Sequence, residues 1–149
     1  MLLLVWLSEL PEVDLIIFRY IFKAFKSPVS IELNFGDPDV LRCSEIYKKI
    51  NQNCHKAIQF VRFQKTSDGI YFAPISPDFN VISLVANHFK NRYADQPWII
   101  YDTKRKFGLY YNLHKIEEIT FTEDPVSESG KLKAEQMDAD ELLYQQMWK

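Results

Sequence analysis

Glycine is scarce in this chain, and the shortage excludes several common catalytic loops. Four glycines occur among 149 residues. The patterns GxGxxG, GxxxxGK[ST] and GxSxG are all absent, which removes the dinucleotide-binding loop, the phosphate-cradling loop of nucleoside triphosphatases and the nucleophile turn of α/β-hydrolases. The sequence therefore predicts no cofactor and favours a non-catalytic protein.

Cysteine is nearly as rare. Cys43 and Cys54 are the two cysteines, and they are eleven residues apart in a predicted helix. That separation corresponds to about 16 Å of helical rise, which is far beyond the reach of a disulfide. No CxxC pair exists, so the sequence predicts no structural zinc or other metal site. Free thiols suit a reducing compartment, and we expect a cytoplasmic protein.

Long apolar runs are also missing. The seven residues MLLLVWL at the start of the chain are too few to cross a bilayer, and no basic region or small-residue cleavage site accompanies them. We therefore predict no membrane association. An apolar run at a terminus has to pack against something, so we expect that an upstream portion of the natural protein is missing.

Charge is distributed unevenly along the chain. The formal net charge is −2, yet residues 56–115 carry nine lysines and arginines against four acidic residues. Residues 116–149 carry three against nine. A basic middle segment beside an acidic C-terminal third indicates a polyanionic partner.

Hydrophobic periodicity predicts helices over residues 11–26, 38–55 and 81–93. In the first of these, Leu15, Phe18, Phe22 and Phe25 recur at helical spacing, and we expect this face to lie in the core. Asp37 followed by a proline is typical of a helix start, with Asp37 as the N-cap.

Residues rich in β-formers alternate with turn signals and predict two hairpins. The first combines residues 57–65 and 70–75, and the second combines 97–102 and 107–113, with a further strand over 115–121. This pattern predicts a two-layer α+β fold, with an antiparallel sheet of about five strands and helices packed on one face. We divide the chain into an α+β domain (1–121), a linker (122–134) and a C-terminal helix (135–149).

Cations and aromatic rings are interleaved in the basic segment. Three consecutive cations lie at the predicted tip of the second hairpin, where they can reach phosphates. Rings beside cations on a sheet are typical of single-strand binding, because bases stack while cations follow the backbone. The candidate nucleic-acid-binding residues are Arg62, Lys65, Arg92, Lys104, Arg105, Lys106, Trp98, Tyr110 and Tyr111.

Simpler explanations exist for the same residues. Aromatic side chains pack well in a half-buried sheet, and a charged hairpin tip improves solubility. His88 lies on an apolar helical face, where a hydrogen-bonded core histidine is the more common role. His88 and Asp102 are nevertheless candidates for a general acid or base.

Several blocks in the right order resemble a bacterial family of radical-SAM-associated proteins assigned to DNA repair or DNA metabolism, whose function is unknown. They are FVRFQ (60–64), DGIYFA (68–73), HFKNRYADQ (88–96), WIIYD (98–102) and GLYY (108–111), supported upstream by WLSELP (6–11) and NFGDPD (34–39). A related domain in that family context is fused to uracil-DNA glycosylase-like domains. The resemblance implies DNA as the favoured nucleic acid and a radical-SAM protein as a partner.

Three functions remain open at this level. The first is a DNA metabolism or repair accessory protein that binds nucleic acid through its basic and aromatic residues. The second is a protein-interaction subunit of the radical-SAM partner, with Met137, Leu142 and Met147 of the acidic C-terminal segment at the interface. The third is an enzyme acting on damaged bases through His88 or Asp102.

Overall fold

The computed structural model describes residues 1–121 and 124–126, which form two compact units. The N-terminal unit consists of residues 1–55 and 78–81, and the sheet unit begins with residues 56–77 and continues from residue 82. The predicted linker and C-terminal helix lie almost entirely outside the described residues. The elements are those of an α+β fold, as the sequence predicted.

Helices α1 (Leu2–Trp6), α2 (Val13–Lys26) and most of α3 (Pro38–Phe60) belong to the N-terminal unit. The predicted N-cap of α3 is confirmed, because Asp37 Oδ1 accepts hydrogen bonds from the amides of Asp39 and Val40 at 2.9 and 3.3 Å. The core of this unit is made of Val5, Val13, Ile16, Tyr20, Val40, Cys43, Ile46 and Ile50. Both cysteines are free thiols, as predicted.

The prediction that the Phe-rich face of α2 lies in the core is wrong. Leu15, Phe18, Phe22 and Phe25 are all exposed, and Phe25 reaches 87 %. The buried positions of α2 are instead Val13, Ile16 and Tyr20. Both sets have helical spacing, so periodicity alone could not tell which face packs inward.

Lys23 joins α2 to the start of α3. Its Nζ lies 2.7 Å from Asp37 Oδ2 and 2.6 Å from Asp39 Oδ2. This ammonium group holds the pKa of Asp37 below its ordinary value of 3.8. The carboxylates of Asp37 and Asp39 in turn raise the pKa of Lys23.

We expect the acid unfolding of the protein to depend on Asp37. Because its pKa is lower in the folded state, its contribution is complete above the ordinary value of 3.8 and is lost as the pH falls through the folded value. Asp37→Asn keeps a good N-cap but removes the charge. Thermal unfolding should show a smaller drop in Tm between about pH 6 and about pH 2 than in the parent protein. Asp14→Asn, at an exposed acid of α2, is the control and should retain the parent pH dependence.

The sheet unit contains five strands in the order β1-β2-β3-β4-β5. They are β1 (Gln64–Lys65), β2 (Tyr71–Ile75), β3 (Trp98–Asp102), β4 (Phe107–Tyr111) and β5 (Ile116–Ile119). The pairs β1–β2, β3–β4 and β4–β5 are antiparallel, which confirms the second hairpin and the additional strand, while the first hairpin forms with a shorter first strand than predicted.

One strand pair corrects the prediction of a purely antiparallel sheet. Strands β2 and β3 are parallel, with Tyr71 opposite Trp98 and Ile75 opposite Asp102. Helix α4 (Ile82–Arg92) connects them and contacts β3 and β4. A helical crossover brings the chain back to the end from which β2 started, so the next strand runs in the same direction. The sheet is therefore mixed.

The predicted strand over residues 57–65 is also wrong for most of its length. Helix α3 continues to Phe60, and β1 contains two residues. The following turn is as predicted: Gly69 has a φ of +80°, and the amide of Thr66 donates to the Ile70 carbonyl at 2.8 Å.

Gly108 is required where β4 approaches β3. A Cβ atom at this position would lie 2.8 Å from the Ile100 carbonyl oxygen, so alanine does not fit without backbone movement.

Among the described residues, no helix is both long and apolar enough to cross a membrane.

Candidate nucleic-acid interface

Aromatic rings gather at one end of the sheet, where β2 and β3 begin side by side. Phe63 contacts Phe89, Tyr93 and Trp98, with centroid distances of 5.7, 5.4 and 6.5 Å. Trp98 also packs against Tyr111 at 5.4 Å. The parallel register places Trp98 at the same end as Tyr71, while α4 brings Phe89 and Tyr93 over it. We call this region the aromatic end of the sheet.

A cavity of about 330 Å³ opens at the aromatic end. Four rings and two polar side chains account for most of its wall. Its lining consists of Val61, Arg62, Phe63, Tyr71, Tyr93, Gln96 and Trp98. This size falls within the range of small-molecule pockets, and so does the combination of mostly apolar walls with a few polar groups.

The indole N–H of Trp98 has no partner of its own. Trp98 is 1 % exposed, and within the described part of the chain its Nε1 makes no hydrogen bond. Buried donors are nearly always satisfied in folded proteins, so this buried, unpaired donor is an exception.

Three predicted cations lie around this cavity. Arg62 lines it directly, Lys65 is in register with Tyr71, and the Arg92 guanidinium lies 5.7 Å from the centroid of the Tyr93 ring. All three side chains are exposed. Cations and accessible rings therefore occur together at the aromatic end.

The other three predicted cations lie at the opposite end of β3. Lys104, Arg105 and Lys106 follow Asp102, the last residue of that strand, whereas Trp98 is the first. A rise of about 3.3 Å per residue puts about 13 Å between those two strand ends. The six cations proposed from the sequence as nucleic-acid contacts therefore do not form one cluster.

Acidic side chains hold two of the cations in this turn. Arg105 Nη1 lies 3.1 Å from Asp102 Oδ2, and the Arg105 side chain is 17 % exposed. Lys106 is ion-paired with Asp124, which raises the pKa of the lysine. Lys104 is exposed. Because Arg105 and Lys106 already have acidic partners within the protein, they are less available to bind phosphates.

The three predicted rings have different environments. Trp98 and Tyr111 are buried, and the Tyr111 hydroxyl donates to the Ala94 carbonyl at 2.9 Å. Tyr110, its neighbour in β4, is half-buried. Trp98 and Tyr111 thus pack in the sheet, and Trp98 also reaches the cavity.

The acid–base candidates are separated from the cavity and differ in exposure. Asp102 is fully buried, and its Oδ1 accepts hydrogen bonds from the amides of Lys104 and Arg105, each at 3.0 Å. His88 is exposed and packs edge-on against Phe89, so the core role expected for it is wrong. Neither side chain lines the cavity.

Among the described residues, no group of three or more histidines, cysteines or acids is arranged to hold a metal.

The candidates chosen from the sequence left out several residues of the cavity wall, among them Phe63, Tyr93 and Gln96. A local signal could have found the two rings, because each directly follows an arginine in the sequence, in the pairs Arg62-Phe63 and Arg92-Tyr93. Gln96 has no comparable signal, since its position depends on the loop between α4 and β3.

The comparisons with known proteins give one match. The model of a family described as a domain of unknown function, DUF4130, matches residues 11–149. No curated protein and no solved structure matches the chain.

Proposed function

Because this chain belongs to the DUF4130 family, a domain of unknown function, we propose its function from its own surface: it binds nucleic acid through the aromatic end of the sheet. The observation that carries the proposal is the grouping of Arg62, Lys65 and Arg92 around a cavity with aromatic walls. The role we propose is that of an accessory protein in DNA metabolism or repair.

Single-stranded nucleic acid fits this surface better than a duplex. Arginine and lysine contact the phosphates, while rings that are not covered by other side chains stack on bases. In a duplex the bases are already stacked and paired, so half-buried rings such as Tyr71 and Tyr93 could reach them only at ends, bulges or melted segments.

The arrangement of charges also favours the aromatic end of the sheet as the binding surface. Arg105 and Lys106 have acidic partners, and a phosphate would have to compete with those carboxylates. Around the cavity, no ion pair within the described residues joins Arg62 or Arg92 to an acid under 4.0 Å. We therefore propose Arg62 and Arg92 as the main phosphate contacts, and Lys65, which is in register with Tyr71 beside them, as a third.

The test is a salt titration of binding to a short single-stranded DNA. We expect Arg62→Ala/Lys65→Ala/Arg92→Ala to weaken binding at least about tenfold at low salt. It should also flatten the slope of log K against log salt by about 2, since each phosphate contact on a single strand contributes about 0.7. Fluorescence anisotropy of a labelled oligonucleotide measures both quantities.

The matched control removes three cations from the N-terminal unit: Lys26→Ala/Lys48→Ala/Lys49→Ala. These lysines are exposed. Because both triple variants lose three cations, they change the net charge by the same amount. Equal losses in the two triple variants would mean that only net charge matters. Absence of any binding by the parent protein at low salt would refute the proposed function.

A second candidate function is protein interaction, and a different observation favours it. The exposed residues Leu15, Phe18, Phe22 and Phe25 form one apolar face on α2, and contiguous apolar surface of this kind often marks an interface. The partner we propose is the radical-SAM protein implied by the family resemblance. Met137, Leu142 and Met147, the interface residues first expected from the sequence, lie outside the described residues.

Co-purification tests this second candidate. If the radical-SAM protein binds the α2 face, Phe18→Ser/Phe22→Ser should abolish its retention by the tagged protein. The Arg62/Lys65/Arg92 triple variant should retain the partner. A partner that is never retained, with or without DNA, would exclude this function.

A further inference from the structure

We propose that the cavity at the aromatic end of the sheet holds one unstacked nucleobase. This inference rests on the proposed nucleic-acid binding and specifies which part of the ligand enters the protein. Its evidence is the shape and chemistry of the cavity wall.

The cavity wall suits a flat aromatic ligand. Phe63, Tyr71, Tyr93 and Trp98 line a volume of about 330 Å³, and every nucleobase has a face that can stack on such rings. A base that leaves its own stack replaces base–base contacts with contacts to these side chains.

The polar groups of the wall are mainly donors. Arg62 offers a guanidinium group that can donate but never accept, and Gln96 adds an amide with one acceptor and one donor group. A ligand that matches this set presents hydrogen-bond acceptors, and every nucleobase carries acceptor atoms on its edges.

The donor excess and the aromatic walls together distinguish a nucleobase from other ligands. A quaternary ammonium group would suit four aromatic rings, but Arg62 in the wall and Arg92 over Tyr93 would repel it. A free phosphate would gain little from the aromatic walls.

The experiment compares three single strands of equal length and charge: dT10, dA10 and a ten-residue abasic strand. Affinities are measured at low salt by anisotropy with the full chain. We expect dT10 and dA10 each to bind at least about tenfold more tightly than the abasic strand. In a Trp6→Phe/Trp148→Phe background, dT10 should quench the fluorescence of Trp98.

Two variants test the cavity itself. Gln96→Ala and Trp98→Phe should each bring the ratio of dT10 to abasic affinity closer to one, while affinity for the abasic strand stays unchanged. Gln52→Ala, at an exposed glutamine of α3, is the control and should leave the ratio intact. Because Trp98 belongs to the core, Gln96→Ala keeps the test valid if Trp98→Phe does not fold.

The outcomes separate this inference from the proposed function. Equal affinity for dT10 and the abasic strand would overturn the base pocket and leave phosphate binding in place. If none of the three strands binds, the proposed function fails, and the inference fails with it.

Discussion

Asp102→Ala is expected to lower the free energy of unfolding by about 3–5 kcal/mol, because it removes one partner of a buried ion pair. Asp102 is fully buried. Its Oδ2 lies 3.1 Å from Arg105 Nη1, and its Oδ1 accepts from the amides of Lys104 and Arg105. Alanine removes this carboxylate from beside the largely buried guanidinium and leaves two turn amides without their acceptor.

Urea unfolding followed by circular dichroism measures this loss. Asp102→Asn should fall between the parent and alanine, because its side-chain oxygen can still accept from the turn amides while the charge is gone. Asp95→Ala removes an exposed acid of the same unit and should change stability by no more than about 0.5 kcal/mol. An Asp102→Ala protein within about 1 kcal/mol of the parent would show that the pair contributes little.

Phe89→Ala is expected to cost about 3–5 kcal/mol, the usual range for removing a large buried ring. Phe89 is 2 % exposed and contacts Phe63, Tyr93 and Trp98 at centroid distances of 5.7, 6.4 and 6.4 Å. Three of the four rings of the cavity wall therefore lose a supporting contact. The cavity left behind adds to the lost transfer free energy.

The control for Phe89 is another phenylalanine of the sheet unit. Phe60 is 68 % exposed, so Phe60→Ala should change stability by no more than about 0.5 kcal/mol. The same denaturant unfolding compares the two variants. Similar losses for Phe89 and Phe60 would contradict the packing described for the aromatic end.

Local sequence signals predicted the parts of the fold that depend on neighbouring residues. Asp37 caps α3 because its side chain reaches amides two and three residues further on. Gly69 turns the chain between β1 and β2 because glycine accepts a positive φ without strain. Such effects operate within a few residues, so they can be read from the chain itself.

The predictions from the sequence were wrong where contacts between distant segments decide the local structure or the buried face. Residues 57–60 contain β-formers but continue α3, because tertiary context routinely overrides a weak local preference. On α2, both Ile16 and Phe18 belong to helically spaced apolar sets, and Ile16 is buried while Phe18 is exposed. The choice between two apolar faces depends on what packs against the helix.

The candidate site was predictable in part. Arg62, Lys65, Arg92 and Trp98 were singled out from the basic, aromatic composition of the middle segment, and all four belong to or adjoin the cavity. The three cations of the 104–106 turn were grouped with them because they belong to the same basic, aromatic segment of the sequence. The strand register separates the two groups by the length of β3.

The sequence by itself determined the α+β class, the helix cap, the hairpin turns and the free thiols, because each follows from composition or from contacts between near neighbours. The tertiary structure alone decided that β2 and β3 run parallel, that Asp102 is buried beside Arg105, and that Phe63, Tyr93 and Gln96 share a cavity with Trp98. These features join segments up to 35 positions apart in the chain, and their geometry is set by how the helix and strands pack.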